Sequence, residues 1–189
     1  MRESIRTGIA DRLLRLLPRR AAHRFVRAQE GAAAIEFGLV AVPFLALTFA
    51  IIETALVFFS GQTLEAAAAA SARLIMTGQA QQAGYSATTF KQAVCNQIFG
   101  LFDCANGVYV DVKSYADFAS ISTTPPVTNG QLNTANMTYQ PGGPGSIVVV
   151  TLYYQWPIYV NLLGDNLQNL TGNNRLLVAT NVFRNEPYQ

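Results

Sequence analysis

EGAAAIEFGLVAVPFLALTFAIIETALVFF, residues Glu30 to Phe59, decides how the rest of this 189-residue chain is arranged. From Phe37 to Phe59 the only ionisable side chain is Glu53, and Glu36 stands immediately before that run. The run is about 23 residues long, and roughly 20 helical residues cross the hydrocarbon core of a bilayer. Charge is expensive in such a segment unless it finds a partner or reaches the interface, so the two glutamates call for a reason.

The flanks give the run a direction. Residues 1–31 hold eight Arg against Glu3, Asp11 and Glu30, a net of +5, whereas residues 32–189 hold five Lys/Arg against eight acids, a net of −3. Half the chain is apolar and only 13% is charged, against about 25% in an ordinary soluble domain. A basic head before an apolar span reads as a single-pass membrane anchor with the head in the cytoplasm and everything after Phe59 outside. The apolar run is too long for the core of a cleaved secretory signal. The Arg-rich, Leu-rich head around Arg12 to Leu17 leaves a mitochondrial transit peptide as an alternative.

Beyond the span, QTLEAAAAASARLIMT (Gln62 to Thr77) is rich in the strongest helix former. Leu64, Ala67, Ala68, Ser71, Leu74 and Ile75 recur at helical spacing and give one face that can pack on a globular domain. The helix is expected to run from Ala32 to a stop at Gly78, about 46 residues or roughly 70 Å, with Pro43 and Gly61 as candidate bends. Ser86 caps a short helix whose Phe90, Val94, Ile98 and Phe99 share a face. Val108–Val112, Ile147–Trp156 and Leu176–Arg184 read as strands, the second being the strongest, with β-branched and aromatic residues ended by Pro157. Residues 121–146, with TTPPVTNG and QPGGPG, read as a long loop. The fold class is therefore α+β: a long N-terminal transmembrane and stalk helix, then a small domain with about three antiparallel strands.

The inventory for catalysis is thin. His23 is the only histidine, and it lies on the other side of the span from the outer domain, so neither a zinc site nor a Ser/His/Asp arrangement is expected. PGGPG precedes a strand and lacks the Lys-Ser/Thr and helix of a phosphate-binding loop. Asp103, Asp111, Asp117 and Asp165 are scattered and read as solvated surface. Asn136 and Asn169 open glycosylation-type triplets of a kind common by chance in Asn/Thr-rich loops. No enzyme, cofactor, metal or nucleic-acid role is expected. Cys95 and Cys104 both fall in the outer domain. A disulfide is their natural pairing in an oxidising compartment, with two separate buried thiols as the alternative.

One motif lifts the reading above an unspecified anchor. Gly31, four apolar residues, Glu36 and the aromatic Phe37, at the junction of basic head and apolar helix, resemble a type IV prepilin processing site. The wording GAAAIEF after a long leader is similar to the Flp/Tad branch and, within it, to the TadE-like pseudopilins. AAAAASARLIMTGQ (Ala66 to Gln79) resembles that family's stalk, and VATNVFRNEPY (Val178 to Tyr188) resembles its C-terminal ending.

The resemblance implies a pilin-like outer domain and a division into leader 1–31, transmembrane helix 32–60, stalk 61–78 and outer domain 79–189. It implies cleavage between Gly31 and Ala32 by a prepilin peptidase at the cytoplasmic face of a bacterial inner membrane. Gly31 lacks a Cβ and takes the conformations a protease cleft needs, and the basic head holds the site at anionic headgroups. Glu36 then becomes the fifth residue of the mature chain, where the helix N-terminal dipole favours a carboxylate. By resemblance it pairs with the new Ala32 amine of a neighbouring pilin; the bland alternative is a residue snorkelling at the membrane boundary.

Glu53, about 17 residues on at roughly 100° per residue, faces another way. It reads as a marker of the outer interface, or as a contact for another pilus component. The implied partners are the peptidase, other pilins or pseudopilins, the Tad secretion platform and the membrane. The implied role is biogenesis of Flp/Tad-type pili. From different classes, the alternatives are an unprocessed bitopic anchor whose outer domain binds a ligand or envelope partner, and a mitochondrial inner-membrane subunit.

Overall fold

The computed structural model describes residues 29–98, 100, 103–159 and 167–188. The basic head before residue 29, Phe99 and Asp165 lie outside the described residues. By internal packing the chain divides into residues 1–48 and 49–189.

In the first unit the described residues form the opening part of α1 (Gln29–Met76), and none of residues 31–48 is buried. Apolar side chains point outward all round: Ile35, Phe37, Leu39, Val40, Val42 and Phe44 are exposed. A helix apolar on every side is one built for lipid or for other helices. Pro43 sits inside it, where its missing N–H leaves the carbonyl one turn earlier unpaired.

In the second unit α1 acquires an inward face. Glu53, Val57, Ser60, Leu64, Ala67, Ala68, Ser71, Ala72 and Ile75 are buried at steps of three and four, one stripe of a 3.6-residue helix. The expected stripe from Leu64 to Ile75 is present, and it starts earlier, at Glu53. The small residues at 67, 68, 71 and 72 let the helix approach closely. The Ser71 hydroxyl donates to the Ala67 carbonyl at 2.7 Å, so it brings no unsatisfied donor into the core.

That stripe packs on a three-stranded antiparallel sheet, order β1-β4-β5, built from β1 (Val108–Tyr115), β4 (Ile147–Pro157) and β5 (Asn174–Arg184). Val112 faces Val150 across the first ladder, and Leu152 faces Ala179 across the second. The central strand is buried on both faces. Val148, Val150, Leu152, Tyr154 and Trp156 join α1 in the main core, while Tyr153 joins Leu170 and Leu176 in a second cluster on the reverse face. The period of two along the strand sorts the residues between these layers. The three strands are those expected from sequence, each extended by one to three residues.

A short helix, α2 (Ala87–Cys95), fills the end of the core with Phe90 and Val94, and Ile98 follows them inside. Its start is the expected one: Ser86 accepts from the Thr89 N–H at 3.1 Å. Residues 121–146 are mostly loop, with two departures. A two-residue hairpin pairs β2 (Val127–Thr128) with β3 (Gln131–Leu132) across Asn129 and Gly130, both at positive φ. Thr138 to Gln140 also binds the outer edge of β1: the Val112 N–H donates to the Thr138 carbonyl, and the Gln140 N–H to that of Val112, each at 2.8 Å. Covering a sheet edge in this way satisfies backbone groups that no sequence pattern advertises.

Candidate processing and assembly site

The residues singled out by the motif lie in the first turns of α1. Gly31 is helical and exposed, with open space where a Cβ would project. Nothing packs on the Gly31–Ala32 bond within the described residues, and glycine in a helix interior is about 1 kcal/mol less favourable than alanine. The backbone there is therefore easy to unwind and easy to reach. One turn on, Glu36 and Phe37 are both exposed, Phe37 strongly so. Among the described residues Glu36 has no hydrogen-bond or ion-pair partner. The sequence brings Gly31, Ala32, Glu36 and Phe37 together simply because they share one stretch of helix.

Glu53 is a different case. It is 5% exposed, and its Oε1 accepts from the backbone N–H of Tyr159 at 3.3 Å. Tyr159 follows the end of β4, where the Ile158 N–H donates to the Asn173 carbonyl at 2.9 Å and the Asn173 side-chain amide donates back to the Ile158 carbonyl. That clasp fixes the strand tip that presents the donor. The carboxylate inside the apolar run thus has a partner in its own domain, 106 positions away in sequence.

At the far end of α1, two of the blocks that carried the resemblance come together. The helix closes with the Thr77 N–H on the Arg73 carbonyl and the Gly78 N–H on that of Ile75, both at 3.0 Å. Gly78 has φ +77°, and a Cβ there would stand 2.3 Å from Cγ of Tyr188. Only glycine fits both the left-handed backbone and the ring. The C-terminal strand continues into this cap: the Glu186 N–H donates to the Met76 carbonyl at 2.8 Å. The PGGPG turn is held beside it, with the Gln81 amide donating to the Pro141 carbonyl (3.1 Å) and the Asn185 amide to those of Pro141 (2.9 Å) and Gly143 (3.0 Å). Residues 76–81, 141–146 and 184–188 therefore form one knot that locks the end of the helix to the last strand.

Residues 31–73 match the family model of TadE-like protein. The TadE-like segment opens on Gly31 and takes in Ala32, Glu36, Phe37 and Glu53, stopping just short of the Gly78 cap. No curated protein and no solved structure matches the chain.

Beyond the TadE-like segment, Cys95 and Cys104 are disulfide-bonded, with Cα atoms 5.6 Å apart. The bridge ties the last residue of α2 to a single helical turn, Cys104–Gly107, that leads into β1. Lys91 reaches across to the Ala105 carbonyl at 2.8 Å. Asp103 accepts from the backbone and side-chain nitrogens of Asn106, which holds its carboxyl below the usual range. Asp111 is not the solvated residue its scatter implied. It is buried on β1, where it accepts from Lys113 at 2.7 Å and from the Thr138 N–H at 2.9 Å. Its role is to hold the loop that covers the β1 edge. Among the described residues, no group of three or more His, Cys, Asp or Glu side chains is placed to hold a metal ion.

Proposed function

We propose that the chain is a non-catalytic pseudopilin or minor pilin acting in the biogenesis of Flp/Tad-type pili, cleaved between Gly31 and Ala32 by a prepilin peptidase. The observation that carries this reading is that the match to the TadE-like family begins at Gly31, the first residue of the GAAAIEF motif. The apolar, uncovered helix that follows is long enough to anchor the protein as a single-pass inner-membrane component. The arginine-rich head supports an orientation with the residues before Gly31 in the cytoplasm and the α+β domain in the periplasm. After cleavage, Glu36 pairs with the Ala32 amine of a neighbouring pilin-type subunit, and the Tad secretion platform is the machinery that receives it. The substantial folded domain suits an accessory role rather than that of a bulk filament subunit.

N-terminal sequencing or intact mass of the protein from its native host tests the reading. The expected mature chain starts at Ala32. A chain still starting at Met1 in cells with active peptidase overturns it.

A further inference from the structure

The two faces of α1 change character at different heights. On the inward side, burial against the domain begins at Glu53. On the outward side the surface stays apolar for two more turns: Leu56, Phe58 and Phe59 are exposed. Gln62 and Glu65 are the first exposed polar side chains after them. Residues 53–59 therefore belong to the folded domain on one side and carry a lipid-type surface on the other. The tip of β4 sits at the same level, because the Tyr159 N–H is bonded to Glu53, and the Tyr159 side chain is 77% exposed.

Length points the same way. A core of about 30 Å takes roughly 20 helical residues, so a span entered at Phe37 leaves the hydrocarbon near Val57, one turn beyond Glu53. A bare carboxylate at that depth is costly, and here protein takes the place of lipid around it. Tyrosine is suited to such a boundary, with an apolar ring and a phenol that reaches the headgroups.

We propose that the folded domain does not stand clear of the bilayer but is seated in its outer leaflet. In this arrangement Leu56, Phe58, Phe59 and Tyr159 form a collar at the boundary between acyl chains and headgroups, and the β4 tip shields Glu53 from lipid. The collar is continuous with the apolar span, which is why lipid, rather than a second protein, is its occupant. The proposal rests on the membrane-anchor reading given above, and the experiment separates the two.

Single cysteines at Leu45, Ile52, Leu56, Phe59, Gln62 and Tyr159 would carry nitroxide labels in the full chain, reconstituted in phosphatidylethanolamine/phosphatidylglycerol vesicles. The native cysteines are bonded to each other and stay out of the labelling. Collision with oxygen is compared with collision with an aqueous nickel chelate. Labels at 45, 52, 56, 59 and 159 are expected to favour oxygen, and the label at 62 to favour nickel. Nickel preference at 56, 59 and 159, with oxygen preference kept at 45 and 52, overturns the seated domain and leaves the anchor intact. Nickel preference at 45 and 52 as well overturns the anchor itself. Poor access to both reagents at 56 and 59 shows protein cover there and also overturns the proposal.

Discussion

The ring of Tyr188 lies against the backbone of Gly78, so that a side chain at Gly78 would occupy the space of the ring's own Cγ. The contact joins the end of the long helix to the end of the chain, and it makes a cycle of substitutions informative. Gly78→Ala imposes a left-handed backbone on an L-residue, worth roughly 1–2 kcal/mol, and expels the ring besides. The expected loss for the full chain in detergent is about 2–4 kcal/mol. In a Tyr188→Ala background the same substitution is expected to cost only the backbone part, about 1–2 kcal/mol. Thermal unfolding of the four proteins measures the difference; equal losses in both backgrounds would show that the ring does not constrain Gly78.

Glu53 makes a prediction of the opposite kind, in which the conservative change is nearly silent. Its carboxylate accepts one backbone N–H, and an amide oxygen can do the same. Glu53→Gln is expected to alter stability by less than about 1 kcal/mol, whereas Glu53→Ala leaves the donor without its partner and opens space, at about 1–3 kcal/mol. Unfolding in detergent micelles distinguishes them, and equal effects would mean that the hydrogen bond contributes nothing.

The disulfide closes a short loop, with the two cysteines 9 positions apart. The chain-entropy account assigns such a loop about 2.5 kcal/mol. Reduction, or a Cys95→Ser/Cys104→Ser double variant, is therefore expected to lower Tm by roughly 5–10 °C for a domain of this size. Loss of the loop's constraint should leave the sheet intact, because the three-stranded ladder does not depend on either cysteine. Calorimetry with and without reductant checks this, and an unchanged Tm would remove the bridge from the stability of the fold.

Tyr139 packs its ring against Phe90, with centroids 5.3 Å apart, and its hydroxyl is buried without a hydrogen-bond partner among the described residues. Burial, with Tyr85 adding to it, pushes its pKa up to about 12 from an ordinary value of 10.0. The neutral form is the one the fold favours. The contribution is therefore fully present below pH 10 and is lost as pH rises through 12. Tyr139→Phe is expected to be neutral or slightly stabilising at pH 7, since an unpaired buried hydroxyl is removed. It should also flatten part of the fall in stability between pH 10 and 12. Tm against pH for the two proteins shows whether the slopes differ as they should.

What was legible in the sequence followed from periodicity and from turn chemistry. The stripe from Leu64 to Ile75, the Ser86 cap, the Gly78 stop and the run IVVVTLYYQW each state a local preference that the packing then uses. Glu53 stayed opaque for a physical reason: its partner is a backbone N–H, which every residue but proline carries and which no pattern marks. The inward stripe did begin there, at Glu53, Val57 and Ser60, but a polar residue at each end of that spacing hid it within an apolar run. Thr138 to Gln140 on the β1 edge was hidden likewise, because a single bridge between strand and loop needs no alternation. The motif at Gly31 to Phe37 was legible as wording, and the structure adds that it is exposed on the opening turns of α1.

Glu36 carries the last prediction. An exposed carboxylate without a partner among the described residues does little for folding, so Glu36→Ala is expected to leave membrane insertion and domain stability unchanged. The proposed pairing with the amine of a neighbour is another matter. A charge-assisted hydrogen bond is worth about 1.5–3 kcal/mol, roughly tenfold or more in an association equilibrium. Piliation should therefore fall at least tenfold in the alanine variant. Glu36→Gln keeps an acceptor but loses the charge, and is expected to lie between the two. Cell fractionation and pilus counts by electron microscopy read the two effects separately. Normal piliation with Glu36→Ala would remove the pairing role while leaving the proposed cleavage at Gly31 untouched, since the Gly31–Ala32 bond is a full turn away.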